Sequence, residues 1–290
     1  MKKLHGIGVA LVTPFDEAGQ IDFKSLKKLL NHTAKGVDYY ALLGTTGEPA
    51  TLTKEEKKSV LSFVKENNTK KLPIVYGIGG NNTQEVIESI KESDLKGVDA
   101  ILSVSPYYNK PSQEGIYRHF KAIADKSPLP IILYNVPGRT ASNLTSETTL
   151  RLAKHRNIIG IKEASGNLEQ CMKIVKDKPT DFMLISGDDM LSVPLYSIGA
   201  VGVISVLANA FPIIFKKIKE YSSAGDYVKA ASELFKLLEI NGPMYEEGNP
   251  VGVKHVLQLM AICKNHVRLP LLSASENLRQ RIQKIYNRLN

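Results

Sequence analysis

The sequence predicts an α/β protein, a (β/α)8 TIM barrel with a C-terminal three-helix appendage, and three observations lead there. Apolar runs rich in β-branched residues alternate with amphipathic segments eight times within about 220 residues, which suits a closed parallel barrel better than an open sheet. The runs are short and apolar throughout, as expected of strands buried on both faces. Beyond them the chain shows helical periodicity only. Residues 1–225 are therefore assigned to the barrel and 226–290 to a helical subdomain.

The elements follow in order. Ile7–Val12 is the first strand, and a helix over 22–35 places Phe23, Leu26, Leu29 and Leu30 on one face behind an Asp22 cap. Tyr39–Leu43 is the second strand. The helix over 53–67 opens on a capping box, Thr53 with Glu56 three residues on. Strand 73–78 precedes helix 83–95, and strand 100–104 precedes a helix over 112–126 capped by Ser112. Strand 130–134 precedes helix 146–155, strand 157–162 precedes helix 167–176, strand 182–186 precedes helix 190–198, and strand 202–205 precedes helix 211–222. Helices near 226–239, 250–264 and 273–289 form the appendage.

Composition narrows the class. With 43% hydrophobic and 23% charged residues, the 290-residue chain reads as an ordinary globular protein with a sizeable core. The apolar stretch Ile7–Val12 is too short for a signal-peptide core and no run reaches a membrane span, so a cytoplasmic protein is expected. Cys171 and Cys263 form no close-spaced motif, and the six histidines lack metal-ligand spacing. The net charge of +9 is dispersed among acidic residues, as in Lys54-Glu55-Glu56-Lys57-Lys58, which describes a solvated surface rather than a nucleic-acid stripe. No Walker loop or dinucleotide fingerprint occurs, and Gly77-Ile78-Gly79-Gly80-Asn81 reads as a loop.

In this barrel type the active site gathers at the C-terminal ends of the strands, and polar residues of catalytic type stand there. Lys162 ends the sixth run, Asn157-Ile158-Ile159-Gly160-Ile161-Lys162. A lysine in that place either snorkels to solvent or, partly desolvated, has more of the neutral amine that condenses with a carbonyl. Gly44-Thr45-Thr46-Gly47-Glu48 follows the second run, and is either a small-residue turn or an anion-binding loop with two hydroxyls. Ser105-Pro106-Tyr107-Tyr108-Asn109-Lys110-Pro111 follows the fourth, its tyrosines suited equally to proton relay and to interface packing. Tyr134 ends the fifth run, and Arg139 shortly after it can hold a carboxylate in bidentate fashion. Ser186-Gly187-Asp188-Asp189 follows the seventh, where an aspartate is expected to cap the next helix. Together these describe a site for a 2-oxo acid, its ketone meeting Lys162 and its carboxylate the Thr45-Thr46 loop.

Those motifs resemble the dihydrodipicolinate synthase / N-acetylneuraminate lyase superfamily of class I aldolases over nearly the whole chain, from Gly8-Val9-Ala10-Leu11-Val12-Thr13-Pro14-Phe15 past Asn249-Pro250. Tyr134-Asn135-Val136-Pro137-Gly138-Arg139-Thr140 resembles the synthase branch, since the neuraminate lyases lack the Arg-Thr ending and usually have Ser where Thr45 stands. The resemblance implies pyruvate and L-aspartate 4-semialdehyde as substrates and no cofactor beyond a covalent imine on Lys162. It implies Tyr134 as proton donor and acceptor, with Thr46 and a neighbouring subunit's Tyr108 completing a relay. Thr45 and Thr46 would hold the pyruvate carboxylate, Arg139 the semialdehyde carboxylate, and the Gly187 and Ile204 backbones would line the pocket. It further implies a homotetramer built as a dimer of dimers. The positions that bind L-lysine in feedback-inhibited members correspond to Pro49, Ala50, Lys54, Asn81, Glu85 and Tyr107. Here Pro49 replaces a usual Ser and Lys54 a His, so weak or absent inhibition is expected. Gly252 replaces the Pro common after Asn-Pro, with no functional meaning attached to it. Two other functions compete: a sugar-acid aldolase of the same fold, which Arg139 disfavours, and a non-catalytic oxo-acid sensor, which intact Lys162, Tyr134, Thr46 and Tyr108 disfavour.

Overall fold

The computed structural model describes residues 2–289. Eight parallel strands close a barrel in sequence order: β1 (Gly6–Ala10), β2 (Tyr39–Leu42), β3 (Ile74–Gly77), β4 (Ala100–Val104), β5 (Ile131–Asn135), β6 (Ile158–Glu163), β7 (Met183–Ser186) and β8 (Gly202–Ser205). All eight expected strands are present, each within two residues of its expected bounds. The chain groups into two compact units. One holds the residues up to Gly6 together with Pro73–Ile204; the other holds Ile7–Leu72 and the chain from Ser205 onward.

In the unit that carries Pro73–Ile204, β3 to β8 form one continuous parallel ladder. Its strands bury Val75, Ile101, Ile131, Ile132, Leu133, Ile161, Leu184 and Ile185. That burial of β-branched and leucine side chains is the main stabilising term of the ladder. One irregularity matters. Ile131 pairs with Ile158, but Ile132 pairs with Gly160, so β6 carries one extra residue at that point. Because side chains alternate faces, that extra residue sets which side of β6 each later residue takes. Gly160 permits it, since a Cβ there would lie 2.7 Å from the Met183 carbonyl oxygen.

The other unit pairs β1 with β2 and packs the helices Phe23–Thr33, Lys54–Asn67, Pro212–Ser223 and the C-terminal helices. The expected caps are in place. Asp22 accepts the Ser25 N–H, and Thr53 and Glu56 form the reciprocal capping box. In the first unit Ser112 likewise accepts the Gly115 N–H.

Three expectations are corrected. The helix expected over 226–239 is two, Tyr227–Phe235 and Leu238–Asn241, with no glycine or proline at the break. The helix expected over 250–264 ends at Leu259. The helix after β7, Ser192–Ser197, has Leu191 at its N-cap and no side-chain cap; the Asp188 carboxylate accepts the Met190 N–H instead. Gly252 has a packing reason after all, because a Cβ there would fall 2.5 Å from Met244 Cα.

Candidate active site

The lysine-bearing unit brings Lys162 and Tyr134 together. They are direct partners across the β5–β6 ladder, and Lys162 Nζ lies 4.3 Å from the centroid of the Tyr134 ring. Lys162 is only 5% exposed, yet among the described residues it forms no ion pair and no hydrogen bond. Gly187 closes on the same side chain: a Cβ at that position would lie 3.1 Å from Lys162 Cε. A glycine there keeps the space around the amine open. Ile204 is buried on β8.

Arg139 sits in a single helical turn, Pro137–Thr140, that follows β5. Its side chain is exposed and has no carboxylate partner among the described residues, which leaves the guanidinium fork available to an acidic ligand. Tyr108 is 88% exposed and has φ +73°, with Lys110 at φ +45° two residues on. A bulky side chain in the left-handed region is strained, and such strain collects at functional loops. Asn81, next to the β3 loop, donates to the Tyr107 carbonyl at 3.1 Å, and Asn109 donates back to the Asn81 carbonyl at 3.0 Å. Glu85 is exposed on the helix Thr83–Glu92.

The second unit holds the threonine loop. Thr45–Gly47 forms a 3-10 turn between two left-handed residues, Leu43 and Glu48, both at φ +52°. The Gly47 and Glu48 amides are used within the turn, bonding to the Gly44 and Thr45 carbonyls. The amides of Thr45 and Thr46, by contrast, have no acceptor among the described residues. An anion nest over the whole loop is thus reduced to its first half. Thr46 is buried, and its Oγ1 accepts from Asn249 Nδ2 at 3.0 Å. That bond leaves the Thr46 hydroxyl proton free to be donated elsewhere. Pro49 and Ala50 lie in the next turn, Pro49–Thr51, and Lys54 is exposed at the start of the following helix.

Glu48 anchors this loop. Its carboxylate accepts from Lys254 Nζ at 2.5 Å and from the Arg268 N–H at 3.2 Å, with both charged side chains buried. Lys254 also donates to the His266 carbonyl at 2.8 Å and lies 4.2 Å from the Phe15 ring centroid. Burial pulls the Lys254 ammonium below its ordinary pKa, and Glu48 opposes that shift. Arg268 stacks near the same ring at 4.5 Å and grips the Glu56 carboxylate with two nitrogens, which holds Glu56 down at about 2. Asn249, Lys254 and Glu163 were missed in the sequence. For Lys254 a signal existed: a lone lysine inside the apolar run Val251–Leu259.

Among the described residues no cluster of His, Cys, Asp and Glu could hold a metal ion. A parallel barrel with a buried, unpaired lysine facing a phenol at the end of a strand defines a class of Schiff-base enzyme. The Dihydrodipicolinate synthetase family model matches residues 3–289, and the chain belongs to that family. It is 49% identical to the 4-hydroxy-tetrahydrodipicolinate synthase of Cytophaga hutchinsonii, over 99% of this chain and 97% of that protein. Two solved structures, each 38% identical, are also similar. The chloride-inhibited dihydrodipicolinate synthase of Acinetobacter baumannii in complex with pyruvate matches with TM-score 0.95, covering 99% of each chain. The Cyanidioschyzon merolae enzyme with lysine bound matches with TM-score 0.94, covering 99% of this chain and 98% of that one.

Proposed function

We infer that this chain is a lyase of the Schiff-base type that condenses pyruvate with L-aspartate 4-semialdehyde to 4-hydroxy-tetrahydrodipicolinate, the committed step toward diaminopimelate and lysine. Near-full-length identity to enzymes carrying that name supports the reaction, and the Lys162–Tyr134 pair is the observation that carries its chemistry.

The proposed course uses only the chain's own groups and no cofactor. The Lys162 amine adds to the pyruvate ketone, water leaves, and loss of a methyl proton gives the enamine. The enamine carbon forms the new bond to the semialdehyde's aldehyde carbon. The amine of the new chain then displaces Lys162 by transimination and closes the ring. Tyr134 donates and accepts the protons, and Thr46 and Tyr108 relay them. The Thr45 and Thr46 hydroxyls, and their amides without an acceptor among the described residues, support a carboxylate role, and the Arg139 guanidinium, without a carboxylate partner among those residues, supports one toward the semialdehyde. The Gly187 and Ile204 backbones are assigned to the pocket lining.

The strained, exposed Tyr108 supports a homotetramer in which a neighbouring subunit receives that ring. No helix among the described residues is long and apolar enough to cross a membrane, in keeping with the proposed cytoplasmic site of action. L-lysine is proposed to inhibit weakly, because Lys54 stands where lysine-sensitive members of the family have a His, and a cation at that position would repel an effector that is itself cationic; a sub-millimolar inhibition constant at neutral pH contradicts this. Parallel assays test the main reading. Turnover with pyruvate plus the semialdehyde and none with N-acetylneuraminate is expected, and the reverse overturns it.

A further inference from the structure

Behind the Tyr134–Lys162 pair lies a second pair in the same register, Asn135 with Glu163. Successive side chains on a strand point to opposite faces, so Glu163 and Asn135 take the side opposite Lys162 and Tyr134. Glu163 is 2% exposed, and among the described residues its carboxylate meets no cation. It is solvated by amides instead. Oε1 accepts from the Ser165 N–H at 2.8 Å and Asn135 Nδ2 at 3.1 Å; Oε2 accepts from Asn135 Nδ2 at 3.0 Å and Gln170 Nε2 at 2.9 Å. Asn135, fully buried, also donates to Asn143 Oδ1 at 2.8 Å and accepts the Leu144 N–H at 3.0 Å. Asn143 donates in turn to Gln170 Oε1 at 2.8 Å.

Every group bonded to the Glu163 side-chain oxygens is a donor, and an amide in its place would set a donor of its own against them. Burying a polar group of this kind is costly, and apolar packing would hold two strands together more cheaply. The network therefore does something that packing does not: it ties Asn135 to Glu163 through their side chains, beside the strand-to-strand bond in which Ala164 N–H donates to the Asn135 carbonyl at 2.8 Å. The Glu163 carbonyl also accepts the Gly187 N–H at 2.7 Å, which ties in the residue that bounds Lys162 Cε. We propose that Glu163 is a positioning residue for the lysine chemistry: its buried carboxylate clamps β5 to β6 one residue beyond the reacting pair and so fixes Tyr134 against Lys162.

The test uses Glu163→Gln, which sets an amide donor among donors, and the double variant Glu163→Gln/Gln170→Glu, which turns the Glu163–Gln170 bond around and restores a carboxylate to the cluster. Thermal midpoint, kcat, KM for pyruvate and the rate of borohydride-trapped imine on Lys162 are measured for each. Glu163→Gln is expected to stay folded, to lose about 100-fold in kcat and in trapping rate, and to change KM by less than about threefold; the double variant should recover at least about tenfold. A folded Glu163→Gln with kcat within about threefold of wild type overturns the proposal, as does a double variant that regains the thermal midpoint but no kcat. Should the single variant not fold, the double variant decides alone: activity recovered to within about tenfold of wild type supports the proposal, and a folded protein below about a hundredth overturns it. The proposal rests on the imine reading of Lys162. An untrapped wild type would break that reading, whereas equal trapping in wild type and Glu163→Gln breaks only this one.

Discussion

Lys162 and Lys254 are both buried lysines, 5% and 0% exposed, and each Nζ lies over an aromatic ring, at 4.3 Å from the Tyr134 centroid and 4.2 Å from that of Phe15. They differ in what else they touch. Lys254 has a carboxylate at 2.5 Å and a carbonyl at 2.8 Å, so its donors are spent on holding the Thr45–Glu48 loop to the C-terminal helices of its own unit. Lys162 has neither. Burial alone therefore does not mark a reactive lysine; burial without a partner, beside a proton-carrying group, does. A lysine held by a carboxylate is a structural pin, and one without such a partner has its amine available for chemistry.

Substitution should pull the two lysines apart. Lys162→Ala is expected to lower kcat by at least about 10⁴-fold, while the thermal midpoint holds or rises because a buried polar group without a hydrogen-bond partner is removed. Steady-state assay with thermal melting checks both halves, and a large fall in the midpoint would erase the distinction. Lys254→Met should do the opposite first. It leaves Glu48 as an uncompensated buried charge and should cost about 3–5 kcal/mol of stability, most of it returned by adding Glu48→Gln. Denaturant unfolding of the single and double variants measures this; additive losses would contradict it.

Acid sharpens the comparison at a smaller scale. Burial pushes His119 down to about 4, so between pH 6.5 and 4 the unfolded chain binds a proton that the folded one does not, and stability is lost as pH falls through that window. The loss should be about 3 kcal/mol, and His119→Gln should flatten it in melts at stepped pH. The Glu56 contribution runs the same way but later, present above about pH 4.5 and lost as pH falls toward 2, where Arg268 no longer has an anion to hold. An unchanged slope between pH 6.5 and 4 in the His119 variant would count against the first of these.

How much of this was legible in the sequence follows from how local each signal is. Eight strands, the Thr53–Glu56 capping box and the Ser112 cap all depend on residues close together, and they stand where expected. Lys162 and Tyr134 were legible as strand ends, because the barrel gathers strand ends together. Glu48–Lys254 spans 206 positions and Thr46–Asn249 spans 203, and no local pattern reports such a pair. The division of 226–239 into two helices was equally hidden, since propensity is continuous across Lys236-Leu237 and only packing separates them. Glu163 was in plain view beside Lys162, but its meaning depends on Asn135 and Gln170 arriving from neighbouring elements.

One experiment bears on the two lysines at once. The protein is reduced with borohydride in the presence of pyruvate, digested, and the peptides carrying Lys162 and Lys254 are compared by mass. The account predicts a pyruvate-derived adduct on the Lys162 peptide and an unmodified Lys254 peptide. Adducts on both, or none on Lys162, would contradict it.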